Sequence, residues 1–191
     1  LSYLHRFQND AVGDPTTEFR TRPESRLTDD RLVDTGLVYD QGQNLISLEA
    51  AWMKGSLSIQ GEYFHDFVDS ESSPNLSGWY LQGSWILTGE SRKYQTSGGV
   101  FAGITPEREF RIGEAGWGAL ELALRLSRVD LNDKYIKGGE ERNITVGLNW
   151  YLRRKIRFMV NYINTKVEDR AEPYIDNGRA DIIMSRFQVN F

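Results

Sequence analysis

The sequence has no cysteine and only 2 histidines, His5 and His65. Without thiols there is no thiolate nucleophile, disulfide framework or cysteine-ligated metal, and two isolated imidazoles supply no metal-spaced pair. Long apolar runs are also missing. No stretch approaches the roughly 18 apolar residues of a membrane-spanning helix, and the mean hydropathy is -0.52. This excludes a helical span but not a membrane, because strands that alternate lipid-facing and lumen-facing side chains keep a low average. A net charge of -4 and the absence of a Lys/Arg run argue against nucleic acid as a partner. No Gly-rich phosphate loop or nucleophile elbow occurs, so no cofactor and no enzyme is implied; a hydrolase gathered from dispersed Ser, His and Asp is the enzymatic alternative.

What is abundant suits strands and tight turns: 18 Gly, 9 Tyr, 9 Phe and 5 Trp. A period of two runs through long segments. Ile144, Val146, Leu148, Trp150 and Leu152 share one face, with Asn143, Thr145, Gly147, Asn149 and Tyr151 on the other. After a turn at Arg153 to Lys155, Ile156, Phe158, Val160 and Tyr162 oppose Arg157, Asn161 and Thr165. Leu120 to Ser127, Trp79 to Leu87, and the Ile46–Trp52 and Leu57–Tyr63 pair around Lys54 to Ser56 read the same way. With Leu1 to Phe7, Leu32 to Tyr39 and Ser185 to Phe191, the count is about nine strands.

Several of these runs reach the roughly nine to eleven residues needed to cross a bilayer at a tilt, against a mode of about five or six in soluble sheets. A soluble lipocalin-like barrel would show the same alternation with the apolar face inward. The aromatics argue against that, since Trp52, Trp79, Trp85, Trp150 and Tyr162 lie on apolar faces, mostly near strand ends, as an interfacial girdle requires. The polar faces carry Gln, Asn, Glu and Arg, which are costly in a dry core and ordinary along a wet channel. The expected fold is therefore all-β, an antiparallel transmembrane β-barrel.

The last segment alternates Phe187, Val189 and Phe191 with Arg186, Gln188 and Asn190, and resembles the closing strand of bacterial outer-membrane proteins. With Phe191 on the periplasmic side, parity puts the Arg153 to Lys155 turn in the periplasm and Lys166 to Arg179, Asn132 to Glu141 and Asp69 to Ser77 outside. Thr88 to Gly116 then becomes a periplasmic segment too long for a turn. Single-chain bacterial barrels have even strand numbers, so residues 1–191 are expected to be the C-terminal portion of one barrel domain of about sixteen strands, with an N-terminal portion missing.

Several stretches resemble the phosphate-selective porin O and P family. They are F-R-T-R-P-E-S-R at Phe19 to Arg26, V-D-T-G at Val33 to Gly36, Q-G-E-Y at Gln60 to Tyr63 and W-Y-L-Q-G-S-W-I-L-T-G-E at Trp79 to Glu90. G-A-L-E-L-A-L-R at Gly118 to Arg125, G-L-N-W-Y-L at Gly147 to Leu152 and the terminal strand follow in the family's order. The resemblance implies a homotrimeric, sixteen-stranded porin of the bacterial outer membrane that passes small anions, phosphate or polyphosphate, by diffusion. It also implies that some loops and one long periplasmic segment fold into the lumen, with much of the selectivity site in the N-terminal half.

Arg suits a phosphate pathway because its planar fork makes two parallel charge-assisted hydrogen bonds. Arg20, Arg22 and Arg26 resemble part of the family's arginine ladder, and the alternative is a solvated basic loop tempered by Glu18 and Glu24. Arg125, Arg157 and Arg186 face inward by parity, and Arg186 either touches the permeant ion or pairs with an inward carboxylate such as Glu49, Glu62 or Glu121. Arg92, Lys93 and Arg108 in the long segment are further candidates. Asp66, Asp69 and Glu71 could hold divalent cations that bridge outer-leaflet lipid, or lie on a solvated loop. A general or cation-preferring porin and a non-conducting structural or adhesion barrel remain alternatives.

Overall fold

A computed structural model describes residues 1–7, 15–70, 73–171 and 177–190, and among these there is no helix. The strands are β1 (Ser2–Phe7), β2 (Thr16–Thr21), β3 (Val33–Tyr39), β4 (Gly42–Lys54), β5 (Leu57–Asp69), β6 (Asn75–Ile86), β7 (Tyr94–Gln95), β8 (Val100–Phe101), β9 (Ala119–Asp133), β10 (Ile136–Arg153), β11 (Ile156–Arg170) and β12 (Gly178–Val189). Eight of them form one antiparallel wall in the order β1-β4-β5-β6-β9-β10-β11-β12, while β2-β3 and β7-β8 are separate two-stranded ribbons. β4 to β6 and β9 to β12 run for 12 to 18 residues, longer than a tilted bilayer crossing requires.

Side-chain burial is inverted relative to a soluble barrel. Trp52 and Trp85 are each 51% exposed, Ile144 49% and Leu124 48%, whereas Glu121, Asn143 and Thr165 are buried. Apolar side chains thus cover the outer face and polar ones line the inner face, which is the arrangement for lipid outside and water within. On the outer face Tyr63 stands directly opposite Trp79 and Leu57 opposite Trp85, so amphipathic rings mark both ends of the apolar band.

One rim, here called lower, carries the turns Gly55–Ser56 and Arg154–Lys155 and the segment 87–118; the other, upper, carries, of the described residues, 15–41, 70, 73–74, 134–135, 171 and 177. Gly55 takes φ 58°, a conformation that glycine adopts without strain, and this lets Lys54 and Leu57 close a two-residue turn.

Two expectations from the sequence are corrected. Leu32 to Tyr39 is not part of the wall: Val33–Tyr39 pairs with β2 in a hairpin inside the barrel. The polar stretches expected outside the barrel are not simply loops: Asn132 to Glu141 is strand except for a two-residue turn between Asp133 and Ile136, and β11 continues through Lys166 to Arg170. Beyond the apolar band no outward position needs an apolar side chain, so the alternation fades while backbone pairing continues. The expected outward Phe191 lies outside the described residues, and so does Glu71.

Candidate functional site: a cation-lined lumen

Two segments fold inward, each on an apolar seat that breaks the polar rule of the inner face. At the upper rim Val33 packs with Leu76, Leu131 and Val167, and Phe19, Leu32 and Val129 surround them. Arg170 Nη1 donates to the carbonyl oxygens of Arg31 at 3.0 Å and Leu32 at 2.9 Å, which ties β11 to the hairpin. The hairpin approaches β10 at Gly139, whose φ of 97° disfavours any side chain and where a Cβ would lie 3.0 Å from Val33 Cγ1. Gly139→Ala should therefore destabilise the seat by about 1–3 kcal/mol, measured as faster amide exchange at Val33 in the full-length protein. Unchanged exchange would show that the hairpin does not depend on this contact.

The tip of the same segment reaches the barrel wall through Glu24. Its Oε1 accepts from Arg125 Nε at 2.7 Å and Ser127 Oγ at 2.7 Å, and its Oε2 accepts from Thr145 Oγ1. Glu24 itself has φ 43°, an uncommon conformation for a non-glycine residue, held here by the carboxylate's three partners. Arg125 also donates to Gln82 Oε1 at 3.2 Å and lies 3.9 Å over the Tyr80 ring.

At the lower rim Ile104 packs with Ile86, Ala119 and Tyr151, which brings part of the oversized segment inside the barrel. The buried carboxylate of Glu121 fastens it: Arg92 pairs with Oε1, while Asn149 Nδ2 at 3.0 Å and Tyr151 Oη at 2.8 Å donate to Oε2. The remainder runs along the rim, where Phe110 N donates to Leu152 O at 2.8 Å and Trp150 Nε1 to Trp117 O at 2.6 Å.

Between this segment and the β10–β11 turn lies a pocket of about 290 Å³, whose lining includes Arg92, Arg153, Arg154, Lys155 and Arg157 and, among the described residues, no carboxylate. Arg157 Nε and Nη2 donate to Gln188 Oε1 at 3.0 and 2.9 Å, a neutral partner that leaves its charge uncompensated. Arg153, Arg154 and Lys155 make no ion pair among the described residues.

Of the residues singled out from the sequence, Arg92 and Arg157 meet in this pocket. Arg186 is exposed on the inner face of β12 as a diagonal neighbour of Arg157, whose direct partner is Gln188. Lys93 and Arg26 are exposed, and neither side chain bonds to a described residue. Arg20 is paired with Glu18 at 2.9 Å and Arg22 with Asp29 at 2.8 Å, so both charges are already neutralised. Arg153, Arg154 and Lys155 were legible only as a turn; three consecutive basic residues on the lumen rim were the available signal. Among the described residues no group of three or more His, Asp or Glu is placed to hold a metal ion.

The sequence profile described as phosphate-selective porin O and P matches residues 2–191. An uncharacterized protein of Caulobacter vibrioides is 30% identical over 153 residues, which is 79% of this chain and 30% of that protein. Porin O of Pseudomonas aeruginosa is 25% identical over 134 residues, 63% of this chain and 29% of that protein. The matched region thus spans less than a third of either relative's length.

Proposed function

Since this chain belongs to the phosphate-selective porin O and P family, we propose that it forms the C-terminal part of an outer-membrane barrel of about sixteen strands through which small anions diffuse, phosphate or polyphosphate foremost. The lower rim faces the periplasm and the upper rim the exterior, and the whole protein is a homotrimer in this reading. The observation that carries the anion assignment is the pocket of Arg92, Arg153, Arg154, Lys155 and Arg157, in which, among the described residues, only Arg92 has a carboxylate partner.

An anion entering a constriction loses part of its hydration, and fixed cations replace it. Each unpaired cation about 6 Å away contributes about 0.7 kcal/mol even at the dielectric constant of water, and the Debye length near 8 Å confines the effect to the constriction. Arg157 and Arg186 lead from the wall toward the pocket, and Arg26 lies on the opposite approach. The second reading, a cation-preferring pore, has one observation in its favour: Glu49 and Glu62 stand directly opposite each other on the inner face, and neither makes an ion pair with a described residue.

Planar-bilayer recording of the full-length protein decides between them. Reversal potentials in a salt gradient should show anion preference, and added phosphate should block chloride current. Replacing Arg154, Lys155 and Arg157 together by Gln should weaken that block about ten-fold, whereas Arg20→Ala with Arg22→Ala should change it little. Cation-selective reversal potentials, or block unaltered by the triple replacement, would overturn the assignment.

A further inference from the structure

The outer face carries a feature that the pore does not use. Register places Arg128 opposite Arg142, Arg142 opposite Lys166 and Lys166 opposite Arg179, so four cations stand side by side across β9 to β12. They share outward parity with Leu120, Trp150, Phe158 and Phe187, which form one register row on the same strands. Each cation is eight residues from its apolar counterpart, about 27 Å along a strand and roughly 21 Å in height at a tilt near 40°. An outward apolar band is about 25 Å tall, so the cation row lies where hydrocarbon gives way to headgroups.

The next row toward the upper rim places Asp130 opposite Glu140 and Glu140 opposite Glu168. Arg128 holds Glu140 through both carboxylate oxygens, at 2.8 and 2.6 Å, and Asp130 at 3.1 Å. Arg142 pairs with Glu140 and lies 3.9 Å from Glu168, which also binds Lys166. Like charges directly opposite on neighbouring strands repel. Mutual neutralisation alone would be served better by alternating signs along each row. On β9 to β11 the signs are sorted by height instead, with cations against the apolar band and carboxylates on its water side; on β12 the carboxylate Asp181 lies below Arg179, where it accepts from Tyr162 Oη and Asn164 Nδ2, each at 2.7 Å.

We propose that this cation row binds the phosphoryl groups of the anionic glycolipid of the outer leaflet, lipopolysaccharide. The occupant must offer acyl chains to the apolar face below and anions at the row itself, which a phosphorylated lipid does and a second copy of this chain, with its own apolar band at the same height, does not. Arg142 keeps about half of its side chain exposed (54%), so its planar fork remains open to a phosphate while it holds Glu140. The proposal rests on the orientation given above, with the upper rim outside.

Titration of the full-length protein in detergent with bisphosphorylated lipid A and with its dephosphorylated form, followed by native mass spectrometry, tests this. The phosphorylated form should bind saturably and at least ten-fold more tightly. Arg142→Gln, Lys166→Gln and Arg179→Gln together should weaken it about a hundred-fold, with conductance and phosphate block unchanged. Equal binding of the two lipids by the unaltered protein would overturn the proposal, and that comparison holds whether or not the triple variant folds. Unchanged affinity in the variant would overturn it too, as would its dissociation into smaller oligomers, which would assign the row to contact with a second copy. Absence of phosphate block in the unaltered protein would defeat the anion-pore reading while leaving the lipid comparison readable.

Discussion

Replacing Glu121 by Ala should release the inward part of segment 87–118 from the barrel wall. Glu121 is 2% exposed and accepts from Arg92, Asn149 and Tyr151, so truncation leaves a largely buried guanidinium without its carboxylate and two further donors without an acceptor. Breaking a buried ion pair from one side costs about 3–5 kcal/mol, because the surviving charge is stranded. The cost falls on a segment whose apolar anchor is the small cluster around Ile104. Limited proteolysis of the full-length protein in detergent should cut within residues 88–105, and the pore should widen at its lower rim. Pairing Glu121→Leu with Arg92→Met removes both charges and should recover much of the loss, which a double-mutant cycle would register as coupling. An unchanged protease pattern in Glu121→Ala would show that the segment is held by other contacts.

Glu24→Ala has the next largest expected effect and acts on permeation. The carboxylate accepts three hydrogen bonds from the inner wall, and their loss costs about 3 kcal/mol locally, given about 1.5–3 kcal/mol for bonds to a charged group less what water restores. The hairpin base stays, because Val33 remains seated among Leu76, Leu131 and Val167 and Arg170 still holds Arg31 and Leu32. Only the tip around Arg22 to Arg26 should detach. Two consequences then add: the lumen opens, and Arg125 becomes an unpaired cation on its wall. Single-channel conductance should rise and the reversal potential should shift toward anions. Glu24→Gln, which keeps an acceptor but no charge, should fall between the two. If conductance and reversal potential both stay at their original values, the tip does not narrow the pathway.

The wall strands were legible residue by residue because lipid outside and water inside impose a period of two, and the aromatic positions and polar faces set its direction. Ile144 to Leu152 and Phe158 to Tyr162 point outward as their spacing demands. Legibility failed where that pressure stops. Above the apolar band β9, β10 and β11 continue as paired strands with charged residues outward, and their sequence alone resembles loop. Val33 to Tyr39 alternates well enough to pass for a wall strand, but its pattern reflects packing inside the lumen.

The candidate site divides along the same line. That Arg125, Arg157 and Arg186 face the lumen follows from parity, a local property of the strand. Which cations remain unpaired does not, because their partners are distant in the chain: Arg125 meets Glu24 and Arg92 meets Glu121. Arg20 and Arg22 have the motif that drew attention to them, yet Glu18 and Asp29 neutralise them, while the plain turn at Arg153 to Lys155 turns out to line a basic pocket.

By itself, the sequence determined the all-β class, the direction of nearly every wall side chain and the family, because alternation, aromatic position and short motifs are written along the chain. Only the tertiary structure decided which segments enter the lumen, which arginines are left without a carboxylate partner among the described residues, and that four cations line up on the outer face. Those depend on register between strands, and register is set by pairing across the whole sheet.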